Sequence, residues 1–247
     1  MLTISIITAT YNSSSTLQQT LESVAMQSHQ NIEHIIVDGL SKDSTLEVVN
    51  QFPHVSKIIS EKDHGIYDAM NKGIQTATGD IIGILNSDDF YVSNDILQQI
   101  AEVFKTTNCD VLYGDLNFVD SNDISKIKRK WIAGSYTLND FLFGWMPPHP
   151  TFFVRKKVYE QYGLFNLSLG SAADYELMLR FMYKHQLKGA YLNKIIVHFR
   201  LGGASTKNLN NRVKANINDR KAWLVNNLKP KWFTLHLKPL RKIKQFF

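Results

Sequence analysis

The first hundred residues alternate between short apolar runs and longer segments whose apolar residues recur at helical spacing. Short runs rich in Ile and Val are typical of strands buried on both faces. From Ile66 onward, apolar or small residues recur at intervals of three and four positions, which predicts an amphipathic helix. Strands that alternate with such helices predict βαβ units and a mostly parallel sheet. The predicted strands of this half are 3–11, 32–38, 55–60 and 80–85.

The pattern changes after residue 110. Two apolar-rich stretches, 110–120 and 124–134, predict longer strands in antiparallel order. A Pro-rich loop then leads to a short strand, 171–185 predicts a helix, and 188–201 predicts a further strand. A long polar helix is predicted over 205–228, and a basic and aromatic segment ends the chain.

This pattern predicts an α/β fold with a mostly parallel central sheet, a small antiparallel element and a helical C-terminal tail. We expect one domain over 1–206, made of a nucleotide-binding-like α/β half (1–109) and a more irregular half (110–206). Residues 207–247 form the predicted helical, basic and aromatic extension.

Charge is distributed unevenly along the chain. Residues 1–100 contain 4 Lys or Arg and 12 Asp or Glu, whereas residues 101–247 contain 24 and 10. The acidic first part argues against nucleic acid as a partner. Residues 207–247 contain 11 basic residues and one acidic residue, Asp219, among several aromatic ones. This mixture favours an anionic lipid surface as partner, and the alternative is a charged helix packed on the domain by its aromatic residues.

The compartment is predicted from three absences in the sequence. No apolar run approaches the roughly 18 residues required to cross a bilayer. The N-terminal residues lack the basic start and long apolar region of a signal peptide. With a single cysteine, Cys109, no intramolecular disulfide is possible. These absences predict a cytoplasmic protein, and the basic and aromatic tail adds a peripheral location on the inner face of the cytoplasmic membrane.

Polar and acidic residues follow directly after the apolar runs of the first half. The first run ends in residues 8–12, the second in Asp38, the third runs on to Asp63, and the fourth ends in Asp88 and Asp89. Because ligands bind outside the carboxyl ends of parallel strands, we expect these residues to line one pocket. Turn and helix-cap preferences of Asp and Asn explain any one position, but they explain all four less well.

Two adjacent carboxylates at a strand end repel each other. This arrangement therefore predicts a bound cation between or beside them. Oxygen ligands suit hard divalent cations, and Mn²⁺ or Mg²⁺ bridges carboxylates to phosphates. We therefore expect Asp88 and Asp89 to hold a metal that holds a diphosphate. The chain has no G-x-G-x-x-G and no G-x-x-x-x-G-K-[ST] motif, so neither a Rossmann dinucleotide site nor a P-loop is predicted.

Four segments together resemble the family 2 glycosyltransferases of GT-A fold. They are TATYN (8–12), VDGLSKDST (37–45), DHGIYDAMNKGI with the following residues to SDD (63–89), and ADYELMLR (173–180). The resemblance extends over about residues 4–205 and is specific as a combination. It implies a GT-A-type nucleotide-binding sandwich, with a nucleotide-sugar-binding half (1–109) and an acceptor and catalytic half (110–206). It also implies an inverting transfer from a nucleotide sugar, commonly UDP-linked. It also implies a role in bacterial polysaccharide or lipopolysaccharide synthesis.

The resemblance implies roles for residues on the donor side. Thr8 and Tyr11 match the first-strand motif that cradles the base. Asp38 matches the aspartate that hydrogen-bonds the uracil or ribose, and Asp63 lies where a further base contact is common.

The resemblance also places the metal and the diphosphate. Ser87 to Asp89 match the metal motif, which implies Asp89 as the metal ligand and Asp88 as a partner of the ribose or of the metal ligand. Many members carry Arg where this chain has Met70. Either Lys72 substitutes for that Arg, or diphosphate recognition differs.

The catalytic base is predicted to be Asp174. In an inverting transfer the acceptor hydroxyl loses its proton as the nucleotide diphosphate leaves, so a carboxylate near the anomeric carbon is required. Asp174 also matches the base position of the family, with Glu176 in reserve. Ser171 and Asp174 have capping-box spacing, so a purely structural role at a helix N-terminus is the alternative.

Three further residues are candidates on the acceptor and metal side. His198 follows an apolar strand, and the resemblance implies that it is a third metal ligand; a core histidine is the alternative. His149 lies in a loop stiffened by prolines and is a candidate acceptor contact, with a buried turn histidine as the alternative. Trp145 is predicted to stack on a sugar face.

The sequence therefore predicts a metal-dependent, inverting hexosyl- or N-acetylhexosaminyltransferase. The expected acceptor is a saccharide or lipid-linked saccharide in cell-surface polysaccharide synthesis. One alternative is a non-catalytic module that binds nucleotide sugars or polysaccharide, which would not need Asp174. The other is a sugar nucleotidyltransferase, which is disfavoured because residues 8–16 lack the Gly, Arg and Lys of a phosphate loop.

Overall fold

The computed structural model describes residues 1–202, 210–241 and 245. Its elements are β1 (Ile4–Thr10), α1 (Leu17–Ala25), β2 (Ile32–Asp38), α2 (Thr45–Val49), β3 (Val55–Ser60), α3 (Ile66–Thr76), β4 (Ile81–Ile84), β5 (Phe90–Tyr91), α4 (Ile96–Thr107), β6 (Val111–Val119), β7 (Ile127–Trp131), α5 (Leu138–Leu142), β8 (Phe153–Arg155), α6 (Lys156–Tyr162), α7 (Ala173–Met178), β9 (Gly189–Arg200), α8 (Asn210–Val225) and α9 (Thr234–Arg241). A π-helical turn, Leu179–Lys184, continues α7. The alternation predicted for the first half is confirmed.

The nine strands of the described residues form one sheet in the order β3-β2-β1-β4-β8-β6-β9-β5, and β7 pairs with β6. Strands β3, β2, β1 and β4 are joined by parallel pairings. Strand β8 runs antiparallel to both β4 and β6, and β9 runs parallel to β6. Six strands therefore point the same way, and β5, β7 and β8 oppose them. The mostly parallel sheet and the antiparallel β6–β7 pair agree with the sequence pattern.

Apolar side chains that alternate along the strands cover both faces of the sheet. On β1, Ile7 and Ala9 pack on one face, and Ile4 and Ile6 pack on the other. Helix α3 and the helices of the second half cover the first face, and α4 covers the second. Every residue of β1 is buried, which explains why this strand carries no charged side chain.

Helix α3 lies very close to β1 because residue 73 is glycine. A Cβ at Gly73 would lie 2.4 Å from Ile7 Cγ2 and 3.2 Å from Val37 Cγ2. The same helix is joined to the second half by Asn71, whose buried side-chain amide exchanges two hydrogen bonds of 2.9 Å with the main chain of Phe165. Helix α3 thus fixes the loop before α7 relative to the first strands.

The C-terminal helices pack on the second half of the chain. Trp223 of α8 is fully buried, and its indole Nε1 donates to the hydroxyl of Tyr175 at 2.9 Å. From α9, Lys238 Nζ lies 3.6 Å from the centre of the Tyr175 ring, and Leu235 joins the main core. The aromatic packing considered for the extension is therefore present.

Part of the predicted extension lies outside the described residues. The polar helix predicted over 205–228 is observed as α8 from Asn210, and the predicted domain boundary after residue 206 falls in the segment that the structure leaves undescribed. Pro239 lies within α9. Within residues 1–202 and 210–241, no helix has both the length and the apolar character needed to span a bilayer.

Candidate active site

The carboxyl ends of β1, β2 and β3 lie side by side at one edge of the sheet. Thr10 pairs with Asp38, and Asp38 pairs with Ser60. The loop after β1 meets the loop after β4, because Ser87 Oγ donates to Ser13 Oγ at 2.9 Å. The strand-end residues of the first half are thereby brought to the same edge, as parallel strands require.

An exposed aromatic ring and a carboxylate lie close together at this edge. Tyr11 is 59% exposed, and one carboxylate oxygen of Asp63 accepts from the Gly65 amide at 2.9 Å. A Cβ at Gly39 would lie 2.5 Å from Asp63 Oδ2 and 3.4 Å from the Tyr11 ring, so only glycine leaves this space open. A ring for stacking beside a hydrogen-bond acceptor suits a nucleobase.

Asp38 is fully buried and its carboxylate is already occupied. It accepts from the main-chain amide of Ser41 at 3.1 Å, from the Ser41 hydroxyl, and from Ser60 Oγ at 2.7 Å. The reason is that β2 continues to Asp38 beside β3, which turns the carboxylate between the strand ends. The predicted contact with uracil or ribose is therefore not available in this conformation, and Asp38 instead orders the loop after β2.

Thr8 is not at the edge, and the prediction that it contacts the base is wrong. It is fully buried within β1, and its Oγ1 lies 3.0 Å from Nε2 of His34. Nδ1 of His34 lies 3.0 Å from Nε2 of His54. Burial, and then the neighbouring His54, lower the pKa of His34 to about 3. Thr8 and His34 therefore belong to the interior of the protein rather than to a ligand site.

Lys72 holds the loop that carries Asp63. Its Nζ lies 2.9 Å from Glu61 Oε1 and 3.7 Å from Asp68 Oδ2, and it donates to the main-chain oxygen of Lys62 at 2.7 Å. The Glu61 carboxylate raises the pKa of Lys72. These contacts give no support to the predicted role in binding diphosphate, because the ammonium group is held by the protein's own acceptors.

The two aspartates after β4 differ in accessibility. Asp89 is fully buried; its Oδ2 accepts from Asn86 Nδ2 at 2.9 Å and its Oδ1 from the Arg200 main-chain amide at 3.2 Å. Asp88 is half-buried. Burial raises the pKa of Asp88, and burial together with the Asp88 carboxylate raises the pKa of Asp89 well above its usual range. A positive charge bound beside the two carboxylates would favour their ionised forms.

Arg200 fixes the Asp88–Asp89 loop and was missed by reasoning from the sequence. Its guanidinium donates to the main-chain oxygens of Asp88 at 3.2 Å and Ser121 at 3.4 Å, and to the side chain of Gln19. It therefore joins β9, α1 and the loop after β4. The only signal in the sequence was its position two residues after His198.

His198 offers an unused nitrogen beside this loop. It lies on β9, opposite Phe90 of β5 and Asn117 of β6. Its Nδ1 is buried and has no hydrogen-bond partner among the described residues, and the same holds for Asn86 Oδ1 and Asn117 Oδ1. Burial lowers the pKa of His198, which favours the neutral ring. A neutral imidazole with a free lone pair is a suitable ligand for a divalent metal.

The residues present fit a metal shared with a substrate better than a metal held by protein alone. Within the described residues, no group of three or more His, Cys, Asp or Glu side chains is placed to hold a metal ion. Mg²⁺ is commonly bound by one or two carboxylates together with substrate phosphates, which requires no such group. Asp88 and the unpartnered Nδ1 of His198 suit this chemistry. Direct ligation by Asp89 stays a prediction that this conformation does not support, because both of its oxygens accept hydrogen bonds within the protein.

A pocket containing Asp174 adjoins the aspartate loop. Its lining includes Tyr67, Asn86, His149, Phe165 and Asp174. Asn86 belongs to both places, because it lines this pocket and also donates to Asp89. Asn86 therefore connects the pocket of the predicted base to the loop of the predicted metal ligands.

Asp174 is held in this pocket at the first turn of α7. Its Oδ1 accepts from the Tyr175 amide at 2.7 Å, and its Oδ2 lies 3.4 Å from His149 Nδ1. The Tyr67 hydroxyl faces the same carboxylate, and burial followed by the Asp174 charge raises the pKa of Tyr67. Within the part of the chain that the structure describes, no side-chain hydrogen bond caps α7, so the capping box considered for Ser171 and Asp174 is not formed there. The carboxylate remains open to the pocket.

The reserve candidate for the base is excluded by its surroundings. Glu176 is buried, its Oε1 lies 2.9 Å from Arg180 Nε, and the same oxygen accepts from Asn226 Nδ2 at 2.8 Å. A carboxylate held in an internal ion pair has no access to an acceptor hydroxyl. Glu176 instead joins α7 to α8.

Trp145 does not face the cleft, and its predicted stacking on a sugar is wrong. It is 6% exposed, and its Nε1 donates to the Ala133 main-chain oxygen at 2.9 Å. Its ring stacks on Tyr136 with centroids 4.7 Å apart and planes 5° apart. The indole is therefore a core residue, whereas His149 in the same loop does reach the Asp174 pocket.

The model of glycosyl transferase family 2 matches residues 5–163. The chain belongs to this family. The glycosyltransferase is 30% identical over 207 residues to the PGL/p-HBAD biosynthesis glycosyltransferase of Mycobacterium bovis (strain BCG / Pasteur 1173P2), with 81% of this chain and 78% of the relative covered. It is 32% identical over 182 residues to an uncharacterized glycosyltransferase of Mycobacterium tuberculosis, with coverage of 72% and 68%.

Solved structures confirm the predicted GT-A fold for the glycosyltransferase. Staphylococcus aureus TarS 1-349 in complex with UDP-GlcNAc superposes with a TM-score of 0.73 at 20% identity, over 96% of this chain and 69% of that one. The mannosyltransferase PcManGT from Pyrobaculum calidifontis, in complex with GDP-Man and Mn²⁺, gives 0.66 at 16% identity, with coverage of 96% and 69%. The glycosyltransferase spans 41% of a longer TarS chain.

Proposed function

We propose that this glycosyltransferase transfers a hexosyl or N-acetylhexosaminyl group from a UDP-linked donor to a hydroxyl group, with inversion and with a divalent cation. The observation that carries the proposal is the connection between the pocket of Asp174 and the aspartate loop. Asn86 lines the pocket of Asp174 and donates at 2.9 Å to the aspartate loop. A single displacement needs a base on one side of the anomeric carbon and stabilisation of the leaving diphosphate on the other.

On the donor side, Tyr11 and Asp63 bind the nucleobase. The Tyr11 ring is exposed, and the carboxylate beside it is positioned by the Gly65 amide. Asp38 acts indirectly, because its bonds to Ser41 fix the loop that follows β2. The TarS complex with UDP-GlcNAc supports a UDP-linked donor for a chain of this fold.

The divalent cation, Mn²⁺ or Mg²⁺, would be held by Asp88 and by Nδ1 of His198. When bound there, such an ion supplies positive charge to the diphosphate as it leaves. Hydrogen bonds from Asn86 and from the Arg200 amide fix the carboxylate of Asp89. Asp89 thereby positions the neighbouring Asp88. The PcManGT complex with GDP-Man and Mn²⁺ supports metal use in this fold.

Asp174 accepts the proton of the acceptor hydroxyl. Its Oδ1 is anchored by the Tyr175 amide, which leaves Oδ2 directed toward His149 and the pocket. His149 is partly exposed and contacts the acceptor sugar beside the base. One carboxylate is sufficient, since no glycosyl-enzyme intermediate is formed in an inverting transfer.

The acceptor is a saccharide or lipid-linked saccharide of cell-surface polysaccharide synthesis, used at the inner face of the cytoplasmic membrane. The basic and aromatic composition of residues 207–247 supports the location.

A thermal-shift screen of UDP-, GDP- and dTDP-sugars with and without Mn²⁺ tests the donor and the metal. A donor at a hundred times its dissociation constant stabilises the fold by about 2.7 kcal/mol, which raises Tm by about 5 to 10 °C. We expect this shift with a UDP-sugar plus Mn²⁺, and we expect chelation of the metal to abolish it. When an acceptor is added, the same UDP-sugar should be turned over with release of UDP. A shift without any turnover on a panel of acceptors would favour the non-catalytic binding module.

A further inference from the structure

The C-terminal segment carries an apolar surface that is exposed to solvent. Trp232 is 85% exposed and Leu240 is 55% exposed. Phe143, which is 47% exposed, stacks on Phe233 with centroids 5.5 Å apart, and Trp232 meets the same ring edge-on at 5.5 Å. We call these four residues the tail patch. A tryptophan is seldom left so open in a protein that works only in water.

The exposure of the tail patch is not the result of a loosely packed segment. Gly144 has a φ of +78°, and a Cβ there would lie 2.5 Å from the main-chain nitrogen of Lys238, so α9 lies directly on the turn after α5. Thr234 Oγ1 donates to the Leu142 main-chain oxygen at 2.7 Å, and Arg241 Nε donates to the Phe143 main-chain oxygen at 2.9 Å. The patch is therefore presented from a fixed base.

Exposed lysines adjoin the tail patch at its Trp232 end. Lys229 and Lys231 are exposed on either side of Pro230, and residues 229–247 contain no Asp or Glu. Asp219, the only acidic residue of the extension in the sequence, lies 2.7 Å from Lys238 and is therefore neutralised. The described part of this surface consequently combines aromatic and aliphatic side chains with a cationic border. This pairing matches the acyl boundary and the headgroups of an anionic membrane.

We propose that the tail patch, with Lys229 and Lys231, is a docking surface for an anionic lipid bilayer. The inference deepens the proposed function, on which its choice of a membrane partner rests in part, since a lipid-linked acceptor is presented at such a surface. Apolar side chains enter the boundary between headgroups and acyl chains, and the lysines bind anionic headgroups.

Helix α9, which carries part of the tail patch, and helix α8 also contact α7, the helix that carries Asp174. Lys238 Nζ lies 3.6 Å from the ring centre of Tyr175, and Trp223 of α8 donates to its hydroxyl at 2.9 Å. Tyr175 follows Asp174 directly, and its amide holds the Asp174 carboxylate at 2.7 Å. Binding of the patch to a bilayer therefore holds the base helix at a fixed distance from the lipid surface.

Co-sedimentation of the full chain with vesicles tests this inference. We expect binding to phosphatidylcholine vesicles that contain phosphatidylglycerol, weak binding to phosphatidylcholine alone, and loss of binding as salt is raised. Lys229→Gln with Lys231→Gln should lower the partition coefficient about 30-fold, since each basic residue contributes about 1 kcal/mol near an anionic surface. Trp232→Ala should lower it about tenfold.

Matched controls remove the same chemistry elsewhere on the surface. Lys57→Gln with Lys105→Gln removes two exposed lysines, and Met26→Ala removes a side chain that is 59% exposed; both should bind vesicles like the wild type. Equal binding to neutral vesicles, unchanged binding of the patch variants, or self-association that Trp232→Ala abolishes would overturn the proposal. Nucleotide-sugar thermal shifts, measured on the same variants, test the proposed function separately because the patch lies outside the cleft.

Discussion

The donor edge and the pocket of Asp174 place their carboxylates in different surroundings. At the donor edge, Asp38 is buried and its oxygens accept from Ser41 and Ser60. In the pocket, Asp174 Oδ2 lies 3.4 Å from His149 Nδ1, and in the loop after β4 Asp88 is half-buried. A buried carboxylate that the protein satisfies orders structure, whereas one left partly unsatisfied is available to a proton or a cation.

The largest expected effect is at the open carboxylate of the pocket. Asp174→Asn should lower kcat by about 10³-fold, because a general base contributes 10²- to 10⁴-fold, while nucleotide-sugar affinity stays unchanged. UDP release and thermal shift measure the two quantities. Asp95→Asn, at an exposed N-terminus of α4, is the matched control. Normal turnover by Asp174→Asn would remove the distinction between the two regions.

The next effect separates the two aspartates after β4. Asp88→Asn should raise the Mn²⁺ concentration for half-maximal activity about 10- to 100-fold, in line with the loss of a metal ligand or its support. Asp89→Asn should raise it less, because the Asp89 carboxylate bonds to Asn86 and to the Arg200 amide. Titration of Mn²⁺ in the transfer assay decides, and the reverse order would show that Asp89 turns outward to bind the metal.

The contact between α3 and β1 links the two regions mechanically. Gly73→Ala places a methyl group 2.4 Å from Ile7 Cγ2, so we expect a loss of about 1 to 3 kcal/mol in the free energy of unfolding. Denaturant unfolding measures it. Gln75→Ala, on the exposed side of the same helix, should change the free energy by less than about 0.5 kcal/mol. Equal stability of the two variants would contradict the close packing.

The interior histidine of β2 should also give the stability of the fold a pH dependence. The pKa of His34 is about 3 in the folded chain, against about 6.5 when unfolded, so the unfolded chain binds a proton that the folded chain does not between these values. Stability therefore falls as pH drops below 6.5. Between pH 7 and pH 5 this amounts to about 2 kcal/mol, which should be absent from His34→Gln. Unfolding curves at both pH values test the difference, and equal losses would contradict it.

The smallest expected effect is at Lys72. Because its ammonium group is bound by Glu61, Asp68 and a main-chain oxygen, Lys72→Gln should change the Michaelis constant for the donor by less than about threefold. A loss of a hundredfold or more would restore Lys72 to the diphosphate. Lys42→Gln, exposed in the loop after β2, is a control for the loss of one positive charge.

Elements set by local pattern were predictable, and elements set by distant partners were not. Strands β2 and β3 have the predicted bounds, because short segments rich in Ile and Val define them. Strand β5 has two residues and exists through its antiparallel pairing with β9, more than a hundred positions away. The same distance hid Arg200, whose contacts reach Gln19 and Asp88.

The sequence by itself determined the family, the GT-A fold and the set of acidic residues from which the cleft is built, because these depend on periodicity and on motifs of fixed spacing. Only the tertiary structure decided which of those side chains are open. The carboxylate of Asp38 is hydrogen-bonded by serines, and the ring of Trp145 stacks on Tyr136 in the core. Asp174, in contrast, faces a pocket. Solvation and hydrogen bonding of a side chain depend on atoms far away in the chain, and no local spacing encodes them.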